Sequence, residues 1–148
     1  MIALIQRVSR SSVTIEGEKI AEIGRGMTIL LGVLKGDDER DIDKLVAKIP
    51  HLRIFTDEEG KMNRSLQDVE GDALVVSQFT LAGSVKKGRR PSFDAAMPPK
   101  EAKRLYEAFC DALRQAGVRV RTGRFGAMME VEIVNDGPVT FIVDSKAL

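Results

Sequence analysis

The stretch that most restricts the fold is ALVVSQFTL, residues 73–81, which is nearly all apolar and rich in strand-forming side chains. A half-exposed strand alternates apolar and polar residues, whereas a strand buried on both faces is apolar almost throughout. We therefore predict a central strand over residues 73–81. A loop rich in glycine, lysine and arginine follows it.

Around this segment the sequence predicts more strands than helices. The first third is typical of β-structure: IALIQRV, then SVTIEGEKIAEIG as a hairpin that turns near Gly17, then MTILLGV. Apolar residues at helical spacing predict one helix over residues 37–50 and a second over residues 98–116. HLRIF is predicted to be a short strand, and VRVRT, AMMEVEIV and VTFIV are predicted to be three closing strands.

The order of these elements decides the fold class. It is not a repeated βαβ pattern, so a doubly wound sheet is not expected, and links of hairpin length imply antiparallel pairing. We predict a single α+β domain over residues 1–148, with a curved, mostly antiparallel, barrel-like sheet and two main helices packed against it. A chain of 148 residues is able to bury roughly 70% of its unfolded surface.

Composition excludes several classes of protein. The net charge of +1 and the hydrophobic content of 43% are those of an ordinary globular protein. The opening MIALIQRVSR has too short an apolar run for a signal peptide and no small-residue cleavage site, and no stretch approaches the ~20 apolar residues of a membrane span. The single cysteine, Cys110, excludes an internal disulfide and is predicted to be a small core residue on the second helix. These observations predict a cytoplasmic protein without membrane contact.

The side chains of common hydrolytic and metal sites are missing. The one histidine, His51, directly follows Pro50 and is predicted to be a cap or a surface group. No GxSxG surrounds a serine, and one cysteine with one histidine cannot form a zinc site, so we expect no metal and no cofactor. GRGMTILLG lacks the third glycine of a dinucleotide-binding loop and is interpreted as a turn.

Two stretches carry polar residues that a plain strand does not need. In VVSQFTLAG, Ser77, Gln78 and Thr80 either pair across the sheet or line a polar pocket whose backbone amides stabilise an oxyanion. In NDGPVTFIV, residues 135–143, a Gly-Pro pair precedes a strand, although proline cannot donate a hydrogen bond to a sheet. Asn, Asp, Gly and Pro each suit tight reversals, so these residues alone favour a turn.

Taken together, SQFTLAG at 77–83 and NDGPVTF at 135–141 closely resemble the two signature motifs of D-aminoacyl-tRNA deacylases. IALIQRV, RIFTDEEGKMN, RRPSF and TGRFGAMM resemble further segments of that family, in the same order and at similar spacing. The resemblance covers essentially the whole chain. It implies an enzyme that hydrolyses the ester between a D-amino acid and the terminal adenosine of tRNA, and that also removes misplaced glycine.

The resemblance also implies where the site lies. The family is a homodimer in which the Gly137–Pro138 peptide, held cis, reaches into the pocket of the partner subunit. Arg7 matches an arginine that helps to fix the Gly-Pro conformation. Phe125 and Met129 match positions around the adenosine pocket, although core packing explains these two residues equally well. The residues that the resemblance places at the catalytic centre are Ser77, Gln78, Phe79 and Thr80.

The resemblance is consistent with the absence of a catalytic base. The resemblance implies catalysis that depends on the ribose 2′-hydroxyl of the substrate, with the backbone N–H groups of Phe79 and Thr80 as an oxyanion hole. Thr80 as a nucleophile is the alternative, although no general base lies nearby in the sequence. A related animal deacylase with a trans Gly-Pro tolerates some L-amino acids, but its motifs differ from SQFT and NDGPVT.

Positive charge is concentrated in VKKGRRP and RVRTGRF. Such clusters either follow phosphates or form solvated surface, and a tRNA substrate favours phosphate contact by the first cluster. The residues predicted to contact tRNA phosphates are Lys86, Lys87, Arg89 and Arg90. Two other functions stay open: a non-catalytic RNA-binding module, and a dimerising regulator of translation that has no substrate.

Overall fold

A long first strand organises the sheet. In the computed structural model, which describes residues 1–148, β1 (Ile2–Ile15) pairs antiparallel with β2 (Glu18–Ile23), with β3 (Gly26–Gly32) and, on its other edge, with β8 (Glu130–Asp144). The predicted hairpin is confirmed: β1 and β2 are joined by Glu16 and Gly17, which both have positive φ.

The central strand is confirmed, but it is shorter than predicted and its pairing is parallel. β6 (Asp72–Ser77) lies between β3 and β7 (Arg119–Thr122) and is parallel to both. The chain turns at Gln78, whose N–H donates to the Leu31 carbonyl at 2.8 Å, and Phe79–Ala82 forms one turn of 3-10 helix. Parallel neighbours need crossover connections, and the two helices supply them.

The predicted positions of both helices are confirmed closely. α1 (Glu39–Lys48) begins after Asp38, whose side chain accepts from the Arg40 N–H in a capping box, and α2 spans Pro99–Gln115. Both helices pack on one face of the sheet and bury apolar side chains there, Cys110 among them. A nearly closed, barrel-like mixed sheet with two helices results, so the α+β prediction is confirmed. Neither helix combines the length and the apolar character that crossing a membrane requires.

A small second sheet completes the chain between α1 and β6. β4 (Phe55–Thr56) pairs antiparallel with β5 (Met62–Arg64), so only the end of the predicted HLRIF strand is extended. His51 ends a 3-10 turn and is exposed, which confirms its assignment to the surface.

The predicted turn at residues 135–138 is wrong. The structure has one strand, β8, where the sequence predicted two, and residues 127–129 lie outside it. Asn135 pairs with Val8 and Thr140 with Gln6, so residues 136–139 form a bulge opposite the single residue Arg7. Pairing with β1 on both sides of the bulge overrides the local turn chemistry, because each flank continues the same ladder.

Candidate active site

The SQFT segment lies where β6 ends. The neighbouring strands β3 and β7 run parallel to β6, so their carboxyl ends meet at the same edge of the sheet. Ser77 and Gln78 are half-buried at this edge, whereas Phe79 and Thr80 are exposed. All four predicted catalytic residues therefore lie together, at the end of a strand that is buried from residue 73 to residue 76.

The backbone of this segment is shaped to present N–H groups. Phe79 and Thr80 open the 3-10 turn, and the first N–H groups of a helical turn have no acceptor within it. The later N–H groups are used, since Leu81 donates to the Gln78 carbonyl and Gly83 donates to the Thr80 carbonyl. Two adjacent donors are thus available at an exposed position.

Close packing fixes the position of these amides. A Cβ atom on Gly32, at the end of β3, would lie 2.9 Å from Leu81 Cβ, closer than real Cβ atoms approach. A Cβ atom on Gly83 would lie 2.9 Å from the Thr80 carbonyl oxygen. Sequence reasoning did not assign Gly32 to the site, although a glycine inside a strand pattern is a known signal of close backbone approach.

The Thr80 hydroxyl has no base beside it. Its hydrogen-bond partner is the side-chain amide of Gln78, which donates to Thr80 Oγ1. A neutral amide cannot remove a proton from a hydroxyl group, so this contact positions Thr80 without activating it.

Aromatic side chains flank the segment on both sides. The exposed rings of Phe79 and Phe93 meet edge to face, with centroids 5.1 Å apart. On the β7 side, Phe125 lies 5.9 Å from the ring of Tyr106, whose hydroxyl donates to the Val75 carbonyl at 2.7 Å. Burial raises the pKa of Tyr106, which therefore remains a neutral donor.

The structure places Phe125 and Met129 just beyond β7, partly in the core. Both are half-buried; Phe125 packs against the large core under the helices, and Met129 packs against the smaller core on the other face of the sheet. Met129 Sδ also accepts from the Arg124 N–H at 3.5 Å. The geometry is thus compatible with both roles that the sequence left open for these residues, namely core packing and a place around the adenosine pocket.

The Gly137–Pro138 peptide bond is cis and lies at the exposed tip of the β8 bulge. Gly137 has φ +129°, and a Cβ atom there would lie 2.8 Å from Val139 Cγ2 and 3.1 Å from Arg7 Nη2. Backbone strain and steric overlap therefore both require glycine at this position.

Arg7 supports the bulge from the helix-covered side. Its side chain is buried, and Nε donates to the Asp136 carbonyl at 3.1 Å. Nη1 donates to the Ile54 carbonyl at 2.8 Å and to Thr56 Oγ1 at 3.1 Å, which ties the bulge to strand β4. The guanidinium group thus joins three segments of the chain.

Within one chain the two motifs lie far apart. Ser77 is in register with Leu31, Leu31 with Ala3, and Ala3 lies four residues along β1 from Arg7, the residue opposite the bulge. Four residues along a strand and three strand spacings correspond to roughly 13 Å and 14 Å, or roughly 19 Å along the sheet. The structure of a single chain does not bring SQFT and Gly-Pro together.

The predicted phosphate-binding residues lie on one exposed loop. Ser84 and Ser92 exchange backbone hydrogen bonds of 2.7 and 2.8 Å at its base. The four basic side chains beyond this bridge form no ion pair within the chain, unlike Arg119, which pairs with Asp72. The members of this basic loop are Lys86, Lys87, Arg89 and Arg90.

Comparison with known proteins gives the family. The model of the family described as D-Tyr-tRNA(Tyr) deacylase matches residues 4–144. A D-aminoacyl-tRNA deacylase of Persephonella marina is 64% identical over 148 residues, which cover 100% of both chains. One of Aquifex aeolicus is 55% identical, again over 100% of both chains. This chain belongs to the D-Tyr-tRNA(Tyr) deacylase family.

Solved structures share the fold of this chain. A structure titled c-Myc DNA Unwinding Element Binding Protein has a TM-score of 0.92 and 44% identity, and the match covers 97% of this chain and 98% of that one. A probable eukaryotic D-amino acid tRNA deacylase has a TM-score of 0.83 at 23% identity and shares the fold. The resemblance seen in the sequence is confirmed, and the protein is an enzyme of a hydrolase family.

Proposed function

We propose that this enzyme hydrolyses the ester bond of D-aminoacyl-tRNA, releases free tRNA and the D-amino acid, and also hydrolyses glycyl-tRNA. Relatives that cover the whole chain are named D-aminoacyl-tRNA deacylases, which supports the reaction. The observation that carries the mechanism is the pair of exposed backbone amides at Phe79 and Thr80, in a site without a side-chain base. A tRNA substrate also favours the cytoplasm, where translation takes place.

In this mechanism the protein positions the ester and stabilises charge. The N–H groups of Phe79 and Thr80 donate to the oxygen that becomes negative as the ester carbonyl is attacked. Donors of this kind are worth about 10²- to 10³-fold each in rate, because they are fixed before the charge develops. The ribose 2′-hydroxyl of the terminal adenosine assists the attack, and Phe125 and Met129 line the adenosine pocket.

The enzyme acts as a homodimer whose sites each use both chains. The separation of roughly 19 Å along the sheet between the motifs supports this arrangement, because a second copy can bring its Gly137–Pro138 to a SQFT segment that lies far from the same chain's own. An apolar row on the sheet face without helices supports a surface for a second copy, and its members Ile142, Leu4 and Leu30 are paired across the strands. Ile142 is 72% exposed in the single chain.

The enzyme distinguishes D-residues from L-residues by steric exclusion of the L side chain. The Gly137 and Pro138 carbonyls of the partner subunit hold the α-ammonium group of the substrate, and the SQFT amides hold its carbonyl oxygen. With these two substituents fixed, the side chain of a D-residue points to solvent, and that of an L-residue meets the Gly-Pro backbone. Glycine has no side chain to clash, so its ester is also cleaved.

The basic loop supports tRNA binding outside the reacting centre. Its four side chains, Lys86, Lys87, Arg89 and Arg90, are exposed and have no acidic partner, so phosphates can neutralise them. Binding through such contacts weakens as the salt concentration rises.

A deacylation assay on matched D- and L-aminoacyl-tRNA tests the proposal. We expect release of D-alanine, D-tyrosine and glycine, and almost none of L-alanine. Protection of the D-ester would instead identify a non-catalytic RNA-binding module. Hydrolysis of the L-alanyl ester at a rate near that of the D-alanyl ester would contradict the exclusion mechanism, and full activity of a monomer in sedimentation would contradict the shared site.

A further inference from the structure

A second set of contacts holds the bulge from the face of the sheet that carries no helix. Asn135 Oδ1 accepts from the Val139 N–H at 3.1 Å, and Asn135 Nδ2 donates to Thr140 Oγ1 at 3.0 Å. Gln6 Nε2 donates to the same hydroxyl oxygen at 3.2 Å. Asn135, Thr140 and Gln6 are called the polar clamp below.

The polar clamp closes the bulge at its base. Asn135 is the last residue paired with β1 before the bulge, and Thr140 is the first residue paired after it. Residues between them lack ladder hydrogen bonds to β1, as the extra residues of a bulge do. Val139 is buried, so without the Asn135 side chain its N–H would be left without an acceptor.

The geometry also fixes the orientation of the Asn135 amide. Its oxygen must face the Val139 N–H, which can only donate, so its nitrogen faces Thr140. The Thr140 hydroxyl oxygen has two lone pairs, and the two N–H donors occupy both. Exchange of the threonine for valine therefore removes two hydrogen bonds and leaves the shape nearly unchanged.

We infer that Asn135, Thr140 and Gln6 are positioning residues for stereochemical selection, because they hold the Gly137–Pro138 carbonyls at a fixed height above the sheet. This inference rests on the proposed function. Arg7 holds the Asp136 end of the bulge from one face, and the polar clamp holds the Val139 end from the other. A wall made of backbone excludes an L side chain only if it cannot move, and a displacement of ~1 Å is enough to change rates by about 10²-fold.

The test compares Thr140→Val with Thr140→Ser and with Thr14→Val as the matched control. Thr14 lies at the far end of the same ladder, opposite Glu130, and takes no part in the polar clamp. Initial rates are measured with D-alanyl-, L-alanyl- and glycyl-tRNA. Hydrogen exchange at the Val139 N–H is measured in parallel, together with thermal unfolding and sedimentation.

For Thr140→Val we expect the ratio of D-alanyl to L-alanyl hydrolysis to fall about fivefold to tenfold, the factor that a hydrogen bond typically contributes. We also expect a raised KM for the D-ester, since the ammonium group is held less well, and faster exchange at Val139. Thr140→Ser keeps the hydroxyl and should restore all three values. Gln6→Leu, which removes one donor, should give a smaller change in the same direction.

An unchanged D:L ratio and unchanged exchange at Val139 in folded Thr140→Val would overturn the inference. An equal fall in the ratio in Thr14→Val would also overturn it, because the effect would then come from the ladder as a whole. The proposed function fails separately, if the unaltered protein does not hydrolyse D-alanyl-tRNA. In that case the exchange at Val139 still decides whether the polar clamp holds the bulge.

Discussion

Replacement of Arg7 by lysine should destabilise the fold and loosen the Gly-Pro bulge together. The change keeps the positive charge and most of the length of the side chain, but it replaces a planar group with several donors by a single ammonium group. Arg7 Nε donates to the Asp136 carbonyl, and Arg7 Nη1 donates to the Ile54 carbonyl and to Thr56 Oγ1. One ammonium nitrogen cannot occupy both donor positions.

The magnitude follows from the acceptor that is lost. A buried carbonyl left without its donor costs about 1–3 kcal/mol, so the free energy of unfolding should fall by about 2 kcal/mol for Arg7→Lys. In a domain of this size each kcal/mol lowers Tm by about 2–4 °C, so the expected fall is about 4–8 °C. The D:L hydrolysis ratio should fall as well, because Asp136 adjoins Gly137.

Arg10→Lys is the matched control. Arg10 lies on the same strand but is 60% exposed, and it pairs with Glu132 at 3.2 Å across solvent. Such exposed pairs contribute about 0–1 kcal/mol, so the free energy of unfolding of this variant should be close to that of the unaltered protein. Thermal and urea unfolding of the two variants, with D- and L-alanyl-tRNA assays, make the comparison. If Arg7→Lys unfolds like Arg10→Lys and keeps the full D:L ratio, the guanidinium contacts do not hold the bulge.

Three further outcomes are expected. Thr80→Ala should retain much of its activity, because alanine keeps the backbone amide; substrate lacking the terminal 2′-hydroxyl should lose far more, and the reverse ranking would restore the nucleophile mechanism. Gly32→Ala should lower the free energy of unfolding by about 1–3 kcal/mol, because its overlap with Leu81 must be relieved, and it should also lower the rate, because that relief shifts the amides; an unchanged rate would exclude this packing as their support. Burial acts to raise the pKa of Asp41, but hydrogen bonds from Ser145 and a backbone N–H outweigh it and lower the pKa below 3.8. The ionised carboxylate therefore stabilises the fold fully above about pH 4, and the stability difference from Asp41→Asn should shrink progressively as the pH falls below about 4 and vanish only below the folded-state pKa, as acid unfolding curves will measure.

The sequence predicts those parts of the fold that depend on neighbouring residues. The central strand, the hairpin at Gly17 and both helices follow from local periodicity and from capping residues such as Asp38. The parallel pairing of β6 could not be read in the same way, because it depends on which strands the two helical crossovers bring together. The link between β3 and β6 contains α1 and the small sheet, and nothing in its sequence indicates beside which strand the chain returns to the main sheet.

The β8 bulge shows the same limit at the candidate site. Asn-Asp-Gly-Pro has every local property of a turn, and only the ladder with β1 on both flanks reveals that the strand continues. The residues that hold the bulge are remote in sequence: Arg7 lies 129 residues from Asp136, and Gln6 lies 134 residues from Thr140. Ordinary side-chain types at such separations carry no local signal of their role.

A site made of backbone groups changes which residues are replaceable. The proposed catalytic donors are N–H groups, and the proposed wall is a pair of carbonyls, so their own side chains contribute little to the chemistry. What must be kept is the position of the backbone, and that depends on residues that do not touch the reacting atoms. Gly32 sets the position of the amides by allowing close approach, and Arg7 and Asn135 set the position of the carbonyls by hydrogen bonding. Substitutions at these supporting positions should therefore impair the enzyme more than substitutions at Thr80, which lies within the site itself.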